Sequence, residues 1–217
     1  MFIGHHAAGF LAKRAAPRVS LGTLFAAAML LDLLWPILLL VDVEHARIDP
    51  GNTAFTPLDF YDYPWTHSLL LVLGWSALFA IGYRIARKAS WSDSIVVGLA
   101  VLSHWVLDFI THRPDLPLWP RGPLVGLGLW NSIAGTVLVE VALFAIALGV
   151  YMRMTQAIDR TGSIALWALV VFVLLIYATN LTSPPPPDAR TVGFVGLAAW
   201  LFVPWGYWID RHRRLRT

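Results

Sequence analysis

Two histidines and an aspartate recur at intervals of four residues in an otherwise apolar stretch of this chain. His104, Asp108 and His112 lie at positions i, i+4 and i+8 near the end of the segment 93–112. At 3.6 residues per turn, a helix places all three on one face. Imidazole nitrogens and carboxylate oxygens are ligands that suit zinc or a similar divalent cation. The spacing therefore indicates a metal site, the alternative being that each side chain only forms hydrogen bonds between packed helices.

Two further titratable residues lie in neighbouring apolar segments. Asp32 is near the middle of the segment 21–43, and His67 is at the start of the segment 67–88, where it could also be an ordinary interfacial residue at a helix start. A charged group inside a bilayer costs about 2.5–3.5 kcal/mol on insertion scales, so it usually faces a partner or a cavity. A bound divalent metal, zinc by its ligand types, would neutralise the two carboxylates and lower the pKa of a bound water to about 7. These residues predict one metal ion with a position left for water.

Other polar residues have two interpretations each. Glu140, in the apolar segment 130–152, either packs against another helix or serves with Asp108 as the group that accepts a proton from the water. Arg113 and Arg121 follow the segment that carries His104. They are either ordinary loop arginines or substrate-binding residues that hold a phosphate or a carboxylate.

The composition requires that lipid cover much of the surface. Of the 217 residues, 58% are hydrophobic and 13% are charged, with a mean hydropathy of +0.65, whereas about 25% of the residues in soluble domains are charged. The chain has no cysteine, which excludes disulfides and thiolate metal sites. We predict an all-α, polytopic membrane bundle that forms a single integral membrane domain over residues 1–217. Six segments have the length and apolarity of a span, and the first twelve residues form a shorter, half-length or re-entrant helix; the six segments are 21–43, 67–88, 93–112, 130–152, 163–182 and 191–209.

The basic residues predict an orientation. Twelve of the sixteen Lys and Arg residues fall on one side of the predicted membrane and four on the other, so the first side and the C-terminus are expected to be cytoplasmic. Their dispersal between apolar segments does not indicate a nucleic-acid-binding patch. On this orientation His67, His104 and Asp108 lie in the outer half of the membrane. The N-terminal helix either descends from the outer half or lies along the cytoplasmic face.

Four blocks of the sequence resemble a known family. The blocks are GHH at 4–6, LLDLLWP at 30–36, WTHSLL at 65–70 and SHWVLDFITHRPDLPLWP at 103–120. In this order they are similar to the membrane-bound metal-dependent hydrolases of the bacterial inner membrane. The resemblance implies a helical, multi-pass fold and a metal centre, and it covers about the first 120 residues; the helices of 121–217 lie outside it. The metal ligands that it implies are His5, Asp32, His67, His104 and Asp108.

Two departures from the family pattern bear on the site. Many members have an acidic residue and a histidine where this chain has Leu34 and Trp35, and many have His-Arg where it has Asp62 and Tyr63. The site is then smaller, or it recruits Asp62 or His112, or it has lost activity.

Three functions are compatible with these residues. The first is a metal-dependent hydrolase that uses a metal-activated water on a lipid-like or phosphorylated substrate, which reaches the site laterally from the bilayer. The second is a non-catalytic carrier or channel for ions or protons. The third is a membrane scaffold that has kept a structural metal.

Overall fold

Helices form most of the protein, which a computed structural model describes for residues 1–216. Short two-stranded ribbons are formed by strands in the connections and by one strand after the last helix, and each ribbon pairs antiparallel strands. The helices are α1 (Ile3–Ala15), α2 (Leu21–Ala28), α3 (Leu30–Leu40), α4 (Pro64–His67), α5 (Leu69–Arg87), α6 (Trp91–Thr111), α7 (Ile133–Met154), α8 (Arg160–Thr182), α9 (Ala189–Gly196) and α10 (Phe202–Arg211). The strands are β1 (His45–Ile48), β2 (Leu58–Asp62), β3 (Leu116–Pro117), β4 (Leu124–Val125), β5 (Thr155–Ala157) and β6 (Arg213–Leu215).

Five helical segments within residues 1–216 are long and apolar enough to cross a membrane. They are α5, α6, α7, α8 and the continuous segment Ala189–Arg211, in which a 3₁₀ turn joins α9 to α10. A sixth span results if α2 and α3 are taken together, because they pass the same test as a pair although the chain bends by 54° between them. The prediction of an all-α, polytopic membrane bundle is therefore confirmed. The predicted span 21–43 is broken at Met29, which lies between the two helices.

Large apolar side chains cover the outside of the bundle. Leu78 on α5 and Leu138 on α7 are 61% and 71% exposed. In α5, only 6% of the most apolar stretch is buried inside the protein. A surface of this kind requires a lipid environment. The chain is a multi-pass membrane protein in contact with lipid.

The N-terminal helix α1 is packed inside the bundle. His5, His6 and Phe10 are fully buried, and α1 contacts α2, α6 and α7. At its other end the ammonium group of Lys13 lies 2.8 Å from a carboxylate oxygen of Asp210 and donates to the carbonyl of Val19, also at 2.8 Å. A helix buried in this way does not lie along a face of the bundle, as one of the two predicted placements of the N-terminal helix requires.

The connections on the side of the bundle opposite to Lys13 carry two of the ribbons. β1 pairs with β2, and the chain passes from β2 directly into the short helix α4, which ends at His67. β3 pairs with β4 in the connection that follows α6. β3 contacts α4, so the connection after α6 brings α4 beside the end of that helix. At the other end of the bundle, β5 pairs with β6 near the C-terminus.

Candidate metal centre

Imidazole and carboxylate groups from four helices meet at one place inside the bundle. His5 comes from α1, Asp32 from α3, His67 from the end of α4, and His104 and Asp108 from α6. They form two overlapping groups that share His104, and within each group the ligand atoms lie within 4.8 Å of one another. The structure brings together all five residues that the family resemblance implied as ligands. Such groups could hold a metal ion.

The Nε2 atoms of two histidines each lie close to both carboxylates. Nε2 of His104 lies 3.1 Å from Oδ2 of Asp108 and 3.6 Å from Oδ1 of Asp32. Nε2 of His67 lies 3.7 Å and 3.8 Å from the same two oxygens. In tetrahedral zinc sites, ligands at 2.0–2.2 Å from the metal are about 3.4 Å apart. The four observed separations lie on both sides of that value. Asp32, His67 and His104 form one group of ligand atoms within 4.8 Å of one another, and Asp108 belongs to the other group, so the spacing supports a metal ion held by both imidazoles and a carboxylate.

The other ring nitrogen of each of these two histidines is already paired, which fixes the tautomer. Nδ1 of His104 lies 2.8 Å from the carbonyl oxygen of Ala28 and donates to it. Ala28 is the last residue of α2, and carbonyls in the last turn of a helix lack intrahelical partners. The bend between α2 and α3 thus supplies the acceptor. With Nδ1 protonated, Nε2 of His104 presents its lone pair to the centre.

His67 is oriented through a threonine and a glutamate. Oγ1 of Thr66 donates to Oε2 of Glu44 at 2.6 Å, and the backbone N–H of Thr66 donates to Oε1 at 2.8 Å. A hydroxyl has one proton, so Oγ1 accepts the hydrogen bond from Nδ1 of His67, 2.7 Å away. Nε2 of His67 is then a lone-pair donor. Glu44, which is fully buried, holds this arrangement in place.

Several buried nitrogens of the cluster have no hydrogen-bond partner among residues 1–216. They are Nε2 of His104 and both ring nitrogens of His5. A buried polar atom left unpaired costs about 1–3 kcal/mol. Metal coordination between the imidazoles and carboxylates would give Nε2 of each ring a partner. The donor set and the unpaired atoms therefore fit a metal ion.

One side of the cluster is open. The side chain of Asp32 is 36% exposed, whereas those of His5, His67, His104 and Asp108 are at most 5% exposed. Structural zinc sites are closed by four protein ligands, and catalytic sites keep a position for water or substrate. An accessible side is a feature of sites of the second kind.

Glu140 anchors the start of α1. Its Oε2 accepts hydrogen bonds from the backbone N–H groups of Phe2, at 2.9 Å, and Gly4, at 3.3 Å. A carboxylate at this position also interacts favourably with the positive end of the helix dipole. The α-amino group of Met1, beside this anchor, contacts Oδ1 of Asp108. Of the two interpretations of Glu140, its contacts favour a helix-packing role over proton transfer, and they hold in place the helix that carries His5.

His112 is turned away from the centre. Helix α6 ends at Thr111 and the backbone of His112 is extended, so the helical spacing that predicted a third ligand on the same face stops one residue too early. Nδ1 of His112 lies 2.9 Å from Oδ1 of Asp115 and 3.3 Å from the hydroxyl of Tyr63. Neither metal group within residues 1–216 includes His112. The predicted ligand set is corrected in this respect.

Asp62, the alternative ligand suggested by the departures from the family pattern, also lies elsewhere. Its Oδ2 is 3.1 Å from Nδ1 of His45, in an exposed pair on the β1–β2 ribbon.

The two arginines suggested as substrate ligands differ in their surroundings. Arg113 forms an ion pair of 2.5 Å with the buried carboxylate of Asp59, which also pairs with Arg47 at 2.7 Å. The charge of Arg113 is therefore already paired within the loops. Arg121 instead lines a surface cleft of about 380 Å³ together with Tyr63 and other loop residues. The ring of Tyr63 packs 4.9 Å from that of His67, so one residue separates this cleft from the metal centre.

Sequence reasoning missed Glu44 and the carbonyl of Ala28. A glutamate in a long loop carries no signal of its own, because its partner Thr66 lies 22 residues away in the chain. A backbone carbonyl becomes an acceptor only where the helix breaks. The Thr-His pair in WTHSLL is the one local signal, since a hydroxyl next to a ligand can accept from its Nδ1.

Removing the hydroxyl that orients His67 is expected to weaken metal binding. We expect the Thr66→Val variant to bind zinc about 10- to 100-fold more weakly, because Nδ1 of His67 loses its acceptor and the ring its fixed orientation. The Thr66→Ser variant keeps the hydroxyl and serves as the matched control. Competition with a chelator of known affinity measures both. Equal zinc affinity of the two variants would contradict the assignment.

Comparison of the chain with protein-family models, with curated proteins and with solved structures gives no match.

Proposed function

We propose that this protein is a membrane-embedded, metal-dependent hydrolase that cleaves a lipid-like or phosphorylated ester with a metal-activated water. The observation that carries the proposal is the convergence of His67, His104, Asp32 and Asp108, in which each imidazole Nε2 lies 3.1–3.8 Å from both carboxylates, with the side chain of Asp32 accessible on one side. The four sequence blocks that resemble membrane-bound metal-dependent hydrolases point in the same direction.

Each residue of the centre has a distinct role in this proposal. When bound, a divalent ion of the zinc type supplies a Lewis acid and a water that ionises near neutral pH. His67 and His104 hold the position through Nε2, because their Nδ1 atoms are engaged by Thr66 and Ala28. Asp108 lies buried among the imidazoles and balances the positive charge. Asp32 lines the accessible side of the metal centre and contacts the substrate that enters there.

The surroundings of the centre favour an amphiphilic substrate. The outer surface of the bundle is apolar and faces lipid, so a substrate with an acyl or polyprenyl chain can approach from the bilayer. Arg121 lies in the polar cleft that adjoins the centre through Tyr63. Because Arg113 is already paired with Asp59, Arg121 is the arginine we assign to an anionic headgroup.

The charge distribution extends the proposal to the cellular location. The excess of Lys and Arg on the side of the bundle that carries Lys13 and the C-terminal arginines supports a cytoplasmic position for that side. The metal centre would then open in the outer half of a bacterial inner membrane.

Hydrolysis by the purified protein tests the proposal. We expect the zinc-loaded protein, purified in detergent micelles, to hydrolyse at least one lipid of a test panel. The panel contains phospholipids, polyprenyl phosphates and carboxyl-ester lipids. The activity should disappear with a chelator and return with added zinc. Zinc-loaded protein that hydrolyses no lipid but conducts ions or protons in liposomes would identify a carrier. Zinc-loaded protein that does neither would identify a scaffold with a structural metal.

A further inference from the structure

We propose that the centre holds two divalent cations side by side, bridged by the carboxylates of Asp32 and Asp108, with His5 as a ligand of the second cation only. The inference rests on the proposed metal-dependent function and adds to it a second metal position.

Each of the two carboxylates faces two positions. Oδ1 of Asp32 and Oδ2 of Asp108 face the Nε2 atoms of His67 and His104. The other oxygens face His5, whose Nε2 lies 3.1 Å from Oδ1 of Asp108 and 3.9 Å from Oδ2 of Asp32. A carboxylate that divides its oxygens in this way bridges two metal ions. In two-metal hydrolytic sites the ions lie about 3.5–4 Å apart.

The orientation of the His5 ring separates the two positions. The rings of His5 and His104 are stacked, with centroids 3.6 Å apart and planes inclined by 6°. The lone pair of an imidazole nitrogen lies in the plane of its ring. Two stacked rings lie in separate, nearly parallel planes, so an ion in the plane of the His104 ring lies outside the plane of the His5 ring. The stacking therefore favours a separate ion for His5.

A second metal ion would give a ring nitrogen of His5 a partner. Both ring nitrogens of His5 are buried and lack a hydrogen-bond partner among residues 1–216, which is costly. The same is true of His6, but of the two histidines only His5 has carboxylate oxygens within 4 Å in the described residues. The α-amino group of Met1 contacts Oδ1 of Asp108, so a positive charge already lies against the oxygen that would bind the second ion. A metal ion at this position would displace the amino group from that oxygen.

Counting metal ions in the His5→Ala variant tests the proposal. We expect two Zn²⁺ ions per chain in the native protein purified in detergent and loaded with zinc. The His5→Ala variant should hold one. His6→Ala is the matched control, because His6 is equally buried on the same helix but packs against Phe25 and Phe202 and should leave two ions. Loading with Mn²⁺ gives a second readout: a spin-coupled pair in the native protein and an isolated ion in His5→Ala.

The possible results are distinct. A single ion in the native protein overturns the two-metal proposal, whether or not His5→Ala loses it, and leaves the hydrolase proposal intact if lipid turnover still depends on the metal. A metal-free native protein overturns both. If His5→Ala does not fold, His5→Gln preserves much of the side-chain volume, and it should likewise hold one ion.

Discussion

Zinc is expected to stabilise the native protein strongly and to have no such effect on the His104→Ala variant. His104 belongs to both metal groups, is fully buried, and presents an unpaired Nε2 to the two carboxylates. At a free zinc concentration 1,000 times the dissociation constant, binding to the folded state adds about 4 kcal/mol. For a chain of this length, that raises the unfolding temperature by about 8 to 16 °C. Thermal unfolding in detergent, with zinc and with chelator, measures the difference.

For each variant, the unfolding temperature with zinc is compared with the unfolding temperature of the same variant in chelator. Replacing His104 also leaves a cavity and removes the hydrogen bond to Ala28, so His104→Ala should be less stable than the native protein even in chelator. Only the response to zinc reports on the metal. His212→Ala is the control, because His212 lies far from the centre and pairs with Asp159; it should keep the full response. A His104→Ala variant that zinc still stabilises as strongly as the native protein would refute the metal centre.

The second large effect is expected at Asp32. We expect the Asp32→Asn variant to lose hydrolytic activity by about 100-fold or more, the size of effect found when a group that stabilises charge in the transition state is removed. The neutral amide cannot balance the charge of the centre. Because the side chain of Asp32 is partly exposed, the isosteric change should leave the fold intact. Lipid turnover at saturating zinc, together with thermal unfolding, measures both properties.

Asp62 provides the matched control for this prediction. It is an exposed carboxylate on the neighbouring ribbon, paired with His45, and it was the alternative ligand that the sequence suggested. Because Asp62 also lines the cleft of Arg121, this control is read from metal binding: Asp62→Asn should keep the zinc affinity of the native protein within about twofold, since its ion pair is exposed. If Asp62→Asn loses zinc and Asp32→Asn binds it as the native protein does, the structure has assigned the wrong carboxylate to the centre.

The contrast between Asp108 and Asp32 bears on the catalytic assignments. The sequence suggested Asp108 and Glu140 as proton acceptors, and both side chains are buried. Oε2 of Glu140 is occupied by the N–H groups of Phe2 and Gly4, and Asp108 is enclosed by imidazoles. Asp32 is the carboxylate of the cluster with free space beside it. We therefore expect substitutions of Glu140 to act through the position of α1, and hence through His5.

Composition and periodicity were sufficient to predict that this chain is a bundle of membrane helices. Lipid requires long apolar segments, and every backbone polar group in lipid must be paired within its own helix, so hydropathy alone locates the spans. The i, i+4 spacing of His104 and Asp108 likewise placed both on one helix face, because that relation is local.

The tertiary structure decided what the sequence could not, because those features depend on where helices break and on contacts between distant segments. The end of α6 at Thr111 removed His112 from the face of His104, and the bend at Met29 freed the carbonyl that orients His104. Glu44 reaches His67 only through Thr66, across 22 residues of the chain. The packing of α1 between α6 and α7 placed His5 against His104, and no spacing within the sequence expresses that contact.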